Sequence, residues 1–80
     1  MLTGAQIRAA RALLRWKITD LAEKANVSFA AIQRAEAVNE TPNMLLSTAD
    51  AIMRALEKGG VVFIDRGDYG GGGVGVRLRR

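Results

Sequence analysis

Apolar residues recur along the first sixty positions at helical spacing, and the pattern then changes to alternation. Ile7, Ala10, Arg11 and Leu14 fall at i, i+3, i+4 and i+7, which is one face of a helix, and Thr3 with Gln6 three positions later has the form of a capping box that starts it. Leu21, Ala22 and Ala25 predict a short second helix. Asn26 tolerates the left-handed conformation in which many helices end, and Val27 after it drops back onto the apolar side. Ser28 is a good N-cap for a third helix, with Ile32 and Ala35 as its inward pair. Residues 38–43, VNETPN, read as a loop. Thr41-Pro42 or Ser47 then opens a fourth helix whose inward stripe is Leu45, Ala49, Ile52 and Leu56, whose wet face is Asp50, Arg54, Glu57 and Lys58, and which Gly59-Gly60 ends.

Beyond Gly60, VVFID (61–65) and VGVRLR (74–79) are strand-like and are separated by Arg66, Gly67, Asp68, Tyr69 and four glycines. Val74, Val76 and Leu78 alternate with Gly75, Arg77 and Arg79, so one face is apolar and the other basic. The first strand is apolar from Val61 to Ile64 and reads as covered on both faces. An isolated hairpin is marginal, and a chain this short has little material to cover both sides. A second subunit is the economical cover, which makes Val61, Val62, Phe63, Ile64, Val74, Val76 and Leu78 the expected homodimer interface. The expected organisation is a helical domain over residues 1–60 and a dimerising hairpin over 61–80. The glycine run is not a phosphate cradle, since it leads into a strand and no Lys and Ser or Thr follow it as a P-loop needs.

Two of the inward positions are charged. Arg11 lies on the stripe of helix 1, and Glu36 lies four residues after Ile32, on or near the inward side of helix 3. An unpaired buried charge costs several kcal/mol, so two charges that both point toward a core need each other. Arg8 and Arg15 lie off the stripe and read as ordinary solvated charges, with phosphate contact as the alternative. Trp16, the only tryptophan, reads as closing the core, because one aromatic without neighbours makes no stacking platform.

Composition narrows the function classes. The chain of 80 residues has no cysteine and no histidine, which removes disulfides, the usual zinc sites and most nucleophile and base pairs. No enzyme and no cofactor is expected on that basis. No charged-then-apolar leader and no apolar run long enough for a bilayer is visible, so a soluble cytoplasmic protein is expected, with no membrane partner. The net charge of +4 favours a polyanionic partner.

The outward side of helix 3 suits such a partner. Drawn as a wheel, the helix has Ala31, Ile32 and Ala35 on one side and Ala30, Gln33, Arg34 and Ala37 on the other, with Phe29 at the leading edge. Small residues allow close approach, Gln pairs bidentately with adenine and Arg with guanine, and a methyl or phenyl group meets the thymine methyl. The same distribution also describes an ordinary surface helix.

The run from Ile7 to Glu36, IRAARALLRWKITDLAEKANVSFAAIQRAE, resembles the Xre/Cro-type, lambda-repressor-like family of helix-turn-helix DNA-binding domains. The matching positions are Arg11, Leu21-Ala22, Asn26-Val27-Ser28, Ile32 and Glu36. The tail resembles that of short regulators of the same type. The resemblance implies a mainly α fold, a bundle of about four helices with a C-terminal two-stranded hairpin. It implies that the third helix enters the major groove of double-stranded DNA, that Phe29, Ala30, Gln33 and Arg34 read bases, and that Arg11 and Glu36 form a buried structural ion pair.

For phosphate contact the candidates are Lys17, Ser28, Asn39 and Thr41. Lys17 and Ile18 depart from the family, which commonly has a Ser or Asn cap and a phosphate-contacting Gln there. Lys17 can substitute as a point charge, and Thr19 can cap a slightly later helix start. The expected function is a dimeric transcriptional regulator, commonly a repressor, on an inverted repeat. The competing reading is a protein-interaction module on the same fold, an antitoxin or anti-activator, with its protein partner at the hairpin.

Overall fold

The computed structural model describes residues 2–67 and 72–79. Four helices precede two strands: α1 (Gly4–Leu14), α2 (Ile18–Ala25), α3 (Phe29–Glu36), α4 (Leu46–Lys58), β1 (Val61–Ile64) and β2 (Gly75–Leu78). The expected architecture, a small α bundle with an antiparallel hairpin, is the observed one.

Local chemistry accounts for most helix ends. The Thr3 hydroxyl accepts from Gln6 N–H at 3.1 Å while the Gln6 amide oxygen accepts from Thr3 N–H at 3.0 Å, completing the capping box of α1. Asn26 closes α2 in the left-handed region at φ 56°, and Val27 N–H returns to the Ala22 carbonyl at 2.9 Å. The Ser28 hydroxyl caps α3 by accepting from Ala31 N–H at 3.1 Å. A second left-handed residue, Arg15 at φ 59°, ends α1; a long basic side chain carries no sequence signal for that conformation.

Ile7, Leu21, Ile32, Ile52 and Leu56 are fully buried, and Val61 joins them at 1% exposure. The hairpin is therefore part of the helical core, and the core does not break at residue 60. Register explains how. Val61 faces Leu78 and Phe63 faces Val76, so these four share one side of the ribbon, while Val62 with Arg77 and Ile64 with Gly75 share the other. Phe63 and Val76 pack on the core. Gln6 fastens the ribbon to α1, its amide nitrogen donating to the Gly75 carbonyl at 3.0 Å and more weakly to the Ile64 carbonyl at 3.4 Å.

Three expectations change. Leu45 is 73% exposed rather than inward, because α4 begins only at Leu46 and residue 45 lies outside the helical register; Met44 packs on the core in its place. Ala49, Ile52 and Leu56 hold their inward positions. Thr19 does not cap α2, since the helix starts at Ile18 and the Asp20 carboxylate accepts from Lys17 N–H at 2.8 Å. Arg8 is not a free surface charge. It reaches under the end of α3 and donates to the carbonyls of Glu36 and of Val38, the latter at 3.2 Å, and to the Asn39 side-chain oxygen.

Gly4 sits where α1 meets the segment leaving α3. Its N–H donates to the Glu40 carbonyl at 2.9 Å, and a Cβ there would lie 1.9 Å from the Val38 oxygen and 2.4 Å from the Ala35 oxygen. Only a residue without a side chain permits this approach.

Candidate nucleic-acid interface

The third helix is held from beneath by charge. Arg11 Nε and Nη2 donate to the two Glu36 carboxylate oxygens at 2.7 and 2.8 Å, a bidentate pair, and Arg11 Nη1 donates to the Trp16 carbonyl at 3.0 Å. Glu36 is 7% exposed and Arg11 21%. The hydrogen bond to Glu36 raises the Arg11 pKa above its ordinary value against the opposing effect of burial. The expected Arg11–Glu36 pair is thus present, and it joins the first helix to the last turn of the third.

With Ile32, Ala35 and Glu36 turned inward, the opposite side of α3 is open. Phe29 is 46% exposed, and Ala30, Gln33, Arg34 and Ala37 are exposed beside it. Among the described residues, the side chains of Gln33 and Arg34 make no hydrogen bond or ion pair. Their donors and acceptors are available on one surface. The four residues singled out for base contact are therefore brought together.

The candidate phosphate contacts are more dispersed. Lys17 and Ser28 are exposed at the starts of α2 and α3, where unpaired backbone N–H groups carry partial positive charge. The Ser28 hydroxyl oxygen is already engaged as the cap but keeps its proton to donate. Asn39 gives its carbonyl oxygen to Arg8, which leaves the amide N–H₂. Thr41 is exposed in the loop before α4. Asp20, which would repel a phosphate if it pointed outward, is folded back on the Lys17 N–H.

The hairpin residues proposed for a dimer divide into two groups. Val61, Phe63 and Val76 are spent on the chain's own core, because α1 and α4 supply the cover that the sequence pattern assigned to a second subunit. Val62 and Ile64, on the other side of the ribbon, are half-buried and take no part in the core, and Leu78 is 39% exposed. Val74 precedes β2 and is half-buried. Arg79 docks on α4, its side chain donating to the Glu57 carbonyl at 3.0 Å and its N–H to the Gly60 carbonyl at 2.7 Å. Within the connection that carries the glycine run, residues 68–71 lie outside the described residues, as does Arg80.

What sequence reasoning missed at this surface is the apolar rim. Leu45, 73% exposed, lines an open groove between α3 and the following loop together with Arg34, Val38 and Met44, and Leu46 next to it in the chain is 81% exposed. Their exposure follows from the late start of α4, which no capping side chain marks. Among the described residues no cluster of acidic side chains is arranged to hold a metal, and no helix is long and apolar enough to cross a membrane. Compared with known protein families and with characterised proteins, the chain matches none.

Proposed function

We propose that the chain is a sequence-specific DNA-binding transcriptional regulator of the Xre/Cro-type helix-turn-helix kind. In this reading α2, the turn Asn26-Val27-Ser28 and α3 form the motif, and α3 enters the major groove. The observation that carries it is the outward face of α3, where Phe29, Ala30, Gln33 and Arg34 are exposed together and the two polar side chains have no partner within the chain. Arg34 would pair with guanine, Gln33 with adenine, and Phe29 and Ala30 would meet thymine methyl groups. Lys17, Ser28, Asn39 and Thr41 would fix the register on the phosphates. The bidentate Arg11–Glu36 pair supports this role by holding α3 rigidly to α1.

The regulator would act as a homodimer, with two recognition helices about 34 Å apart on an inverted repeat. The surface left for that contact is the outer side of the ribbon, Val62 and Ile64, with the strand edges. Occupying a promoter is sufficient for repression.

A second reading, a protein-interaction module on the same fold, is favoured by the exposed Leu45 and Leu46, which lie outside the hairpin where a dimer would bury its apolar surface. Selection from a pool of random duplex DNA at two salt concentrations separates the two. Enrichment of an inverted repeat that persists at the higher salt supports sequence readout, and the half-site spacing reports the dimer. Binding without an enriched motif, or binding that disappears with salt, overturns the proposal in favour of the protein partner.

A further inference from the structure

A second surface lies between the last turns of α2 and α4, beside Trp16 in the link from α1 to α2. Trp16, Lys24, Ala55, Lys58 and Gly59 line an open groove of about 380 Å³, within the size range of small-molecule sites. Its floor is apolar and flat. The indole packs so closely on Gly59 that a Cβ there would lie 2.8 Å from two ring carbons, and Ala55 contributes only a methyl group. Both charges on its wall are positive. Lys24 Nζ stands 5.1 Å from the centroid of the Trp16 ring, and among the described residues neither Lys24 nor Lys58 has an ion-pair partner. No acidic side chain lines the groove. None of these residues belongs to the outward face of α3.

We infer that this groove is a binding site for a small aromatic carboxylate, whose ring lies on the Trp16 indole while its acid group pairs with Lys24 and Lys58. The charge pattern selects the anion, and the flat floor selects the ring. The ammonium now over the indole forms an exposed cation–π contact, an interaction worth little in water. A ligand that replaces it with an aryl ring releases Lys24 to meet the carboxylate, so the ring and both ammonium groups each gain a partner. A peptide would need a longer channel, and inorganic phosphate would leave the indole uncovered.

Because Trp16 is the only tryptophan, its fluorescence reports the site directly. The full chain is titrated with hydrocinnamate, with propionate and hydrocinnamyl alcohol as controls that lack the ring and the charge respectively, and with inorganic phosphate and a short polyglutamate peptide as competitors. The expected result is a saturable change with hydrocinnamate alone, weakened about tenfold or more in Lys24→Gln/Lys58→Gln. That variant should keep its thermal midpoint, since both residues are exposed. No saturable change up to tens of millimolar, or equal affinity in the double variant, overturns the assignment. So does saturation by propionate, phosphate or polyglutamate at the same concentration, which would make the groove a site for simple anions or an acidic protein segment.

Discussion

Replacing Gly4 by alanine sets two physical effects against each other, and they differ in sign. Helix propensity alone favours alanine by up to about 1 kcal/mol at a helical position. The structure opposes it. The new Cβ would lie 1.9 Å from the Val38 oxygen and 2.4 Å from the Ala35 oxygen, both of them backbone atoms without a rotamer to move. Relief requires α1 to separate from the segment leaving α3. Overpacking of this kind costs about 1–3 kcal/mol and sometimes more. The separation also stretches the Gly4 N–H bond to the Glu40 carbonyl, at 2.9 Å, and the Arg8 bond to the Val38 carbonyl, at 3.2 Å, each worth about 1 kcal/mol. After subtracting the propensity gain, Gly4→Ala should lose about 2–4 kcal/mol. For a domain of this size each kcal/mol moves the midpoint by about 4–8 °C, so circular dichroism melts should show a fall of about 8–32 °C. A midpoint at or above that of the wild type would refute the close-approach argument and leave propensity as the ruling effect.

Removing one partner of the buried pair, as in Glu36→Gln or Arg11→Met, should cost about 3 kcal/mol in urea unfolding, whereas Arg11→Met/Glu36→Leu should return to within about 1 kcal/mol of the wild type. Arg11 is a base whose folded pKa is raised by its bond to Glu36. Its stabilisation is therefore complete below the unfolded value and is lost only as pH rises through the folded one, so stability followed from neutral pH to about pH 11 should carry no slope from this residue. Gln6→Leu should cost about 1–3 kcal/mol and abolish amide-exchange protection in β1 and β2 first, because it removes the side-chain half of the α1 capping box and the donor to the hairpin carbonyls while the Thr3 cap remains; uniform loss of protection would make its role generic. If Arg34 reads guanine, Arg34→Ala should weaken binding to the selected site by about 1–3 kcal/mol and relax preference at one base pair. Equal loss on random DNA would make it a phosphate contact.

The local features of this fold were legible in the chain because each depends on a few neighbouring residues. Thr3 with Gln6, Asn26 and Ser28 mark helix ends through bonds that span three or four positions, and the 3.6-residue period assigns Ile32 and Ala35 inward, which leaves Gln33 and Arg34 outward. Arg11 and Glu36 were legible as two charges on inward stripes that each need a partner, and the family resemblance implies that they pair with each other. The start of α4 is not legible, because no side chain caps it, and so the helical period places Leu45 on a core that it does not enter.

Everything else depended on which element packs on which. Arg8 became a clamp on the end of α3, Gly4 became indispensable and Gln6 acquired a second role on the hairpin only because segments about thirty to seventy positions apart meet at α1. The hairpin is the clearest case. The pattern of an unbroken apolar run in VVFI and alternation in VGVRL marked these residues as strands. It could not determine whether the apolar face would meet another subunit or the chain's own helices, because both bury the same surface and give the same hydrophobic gain. The tertiary packing of α1 and α4 decided it, by placing cover within reach of Val61, Phe63 and Val76 and leaving Val62 and Ile64 outside.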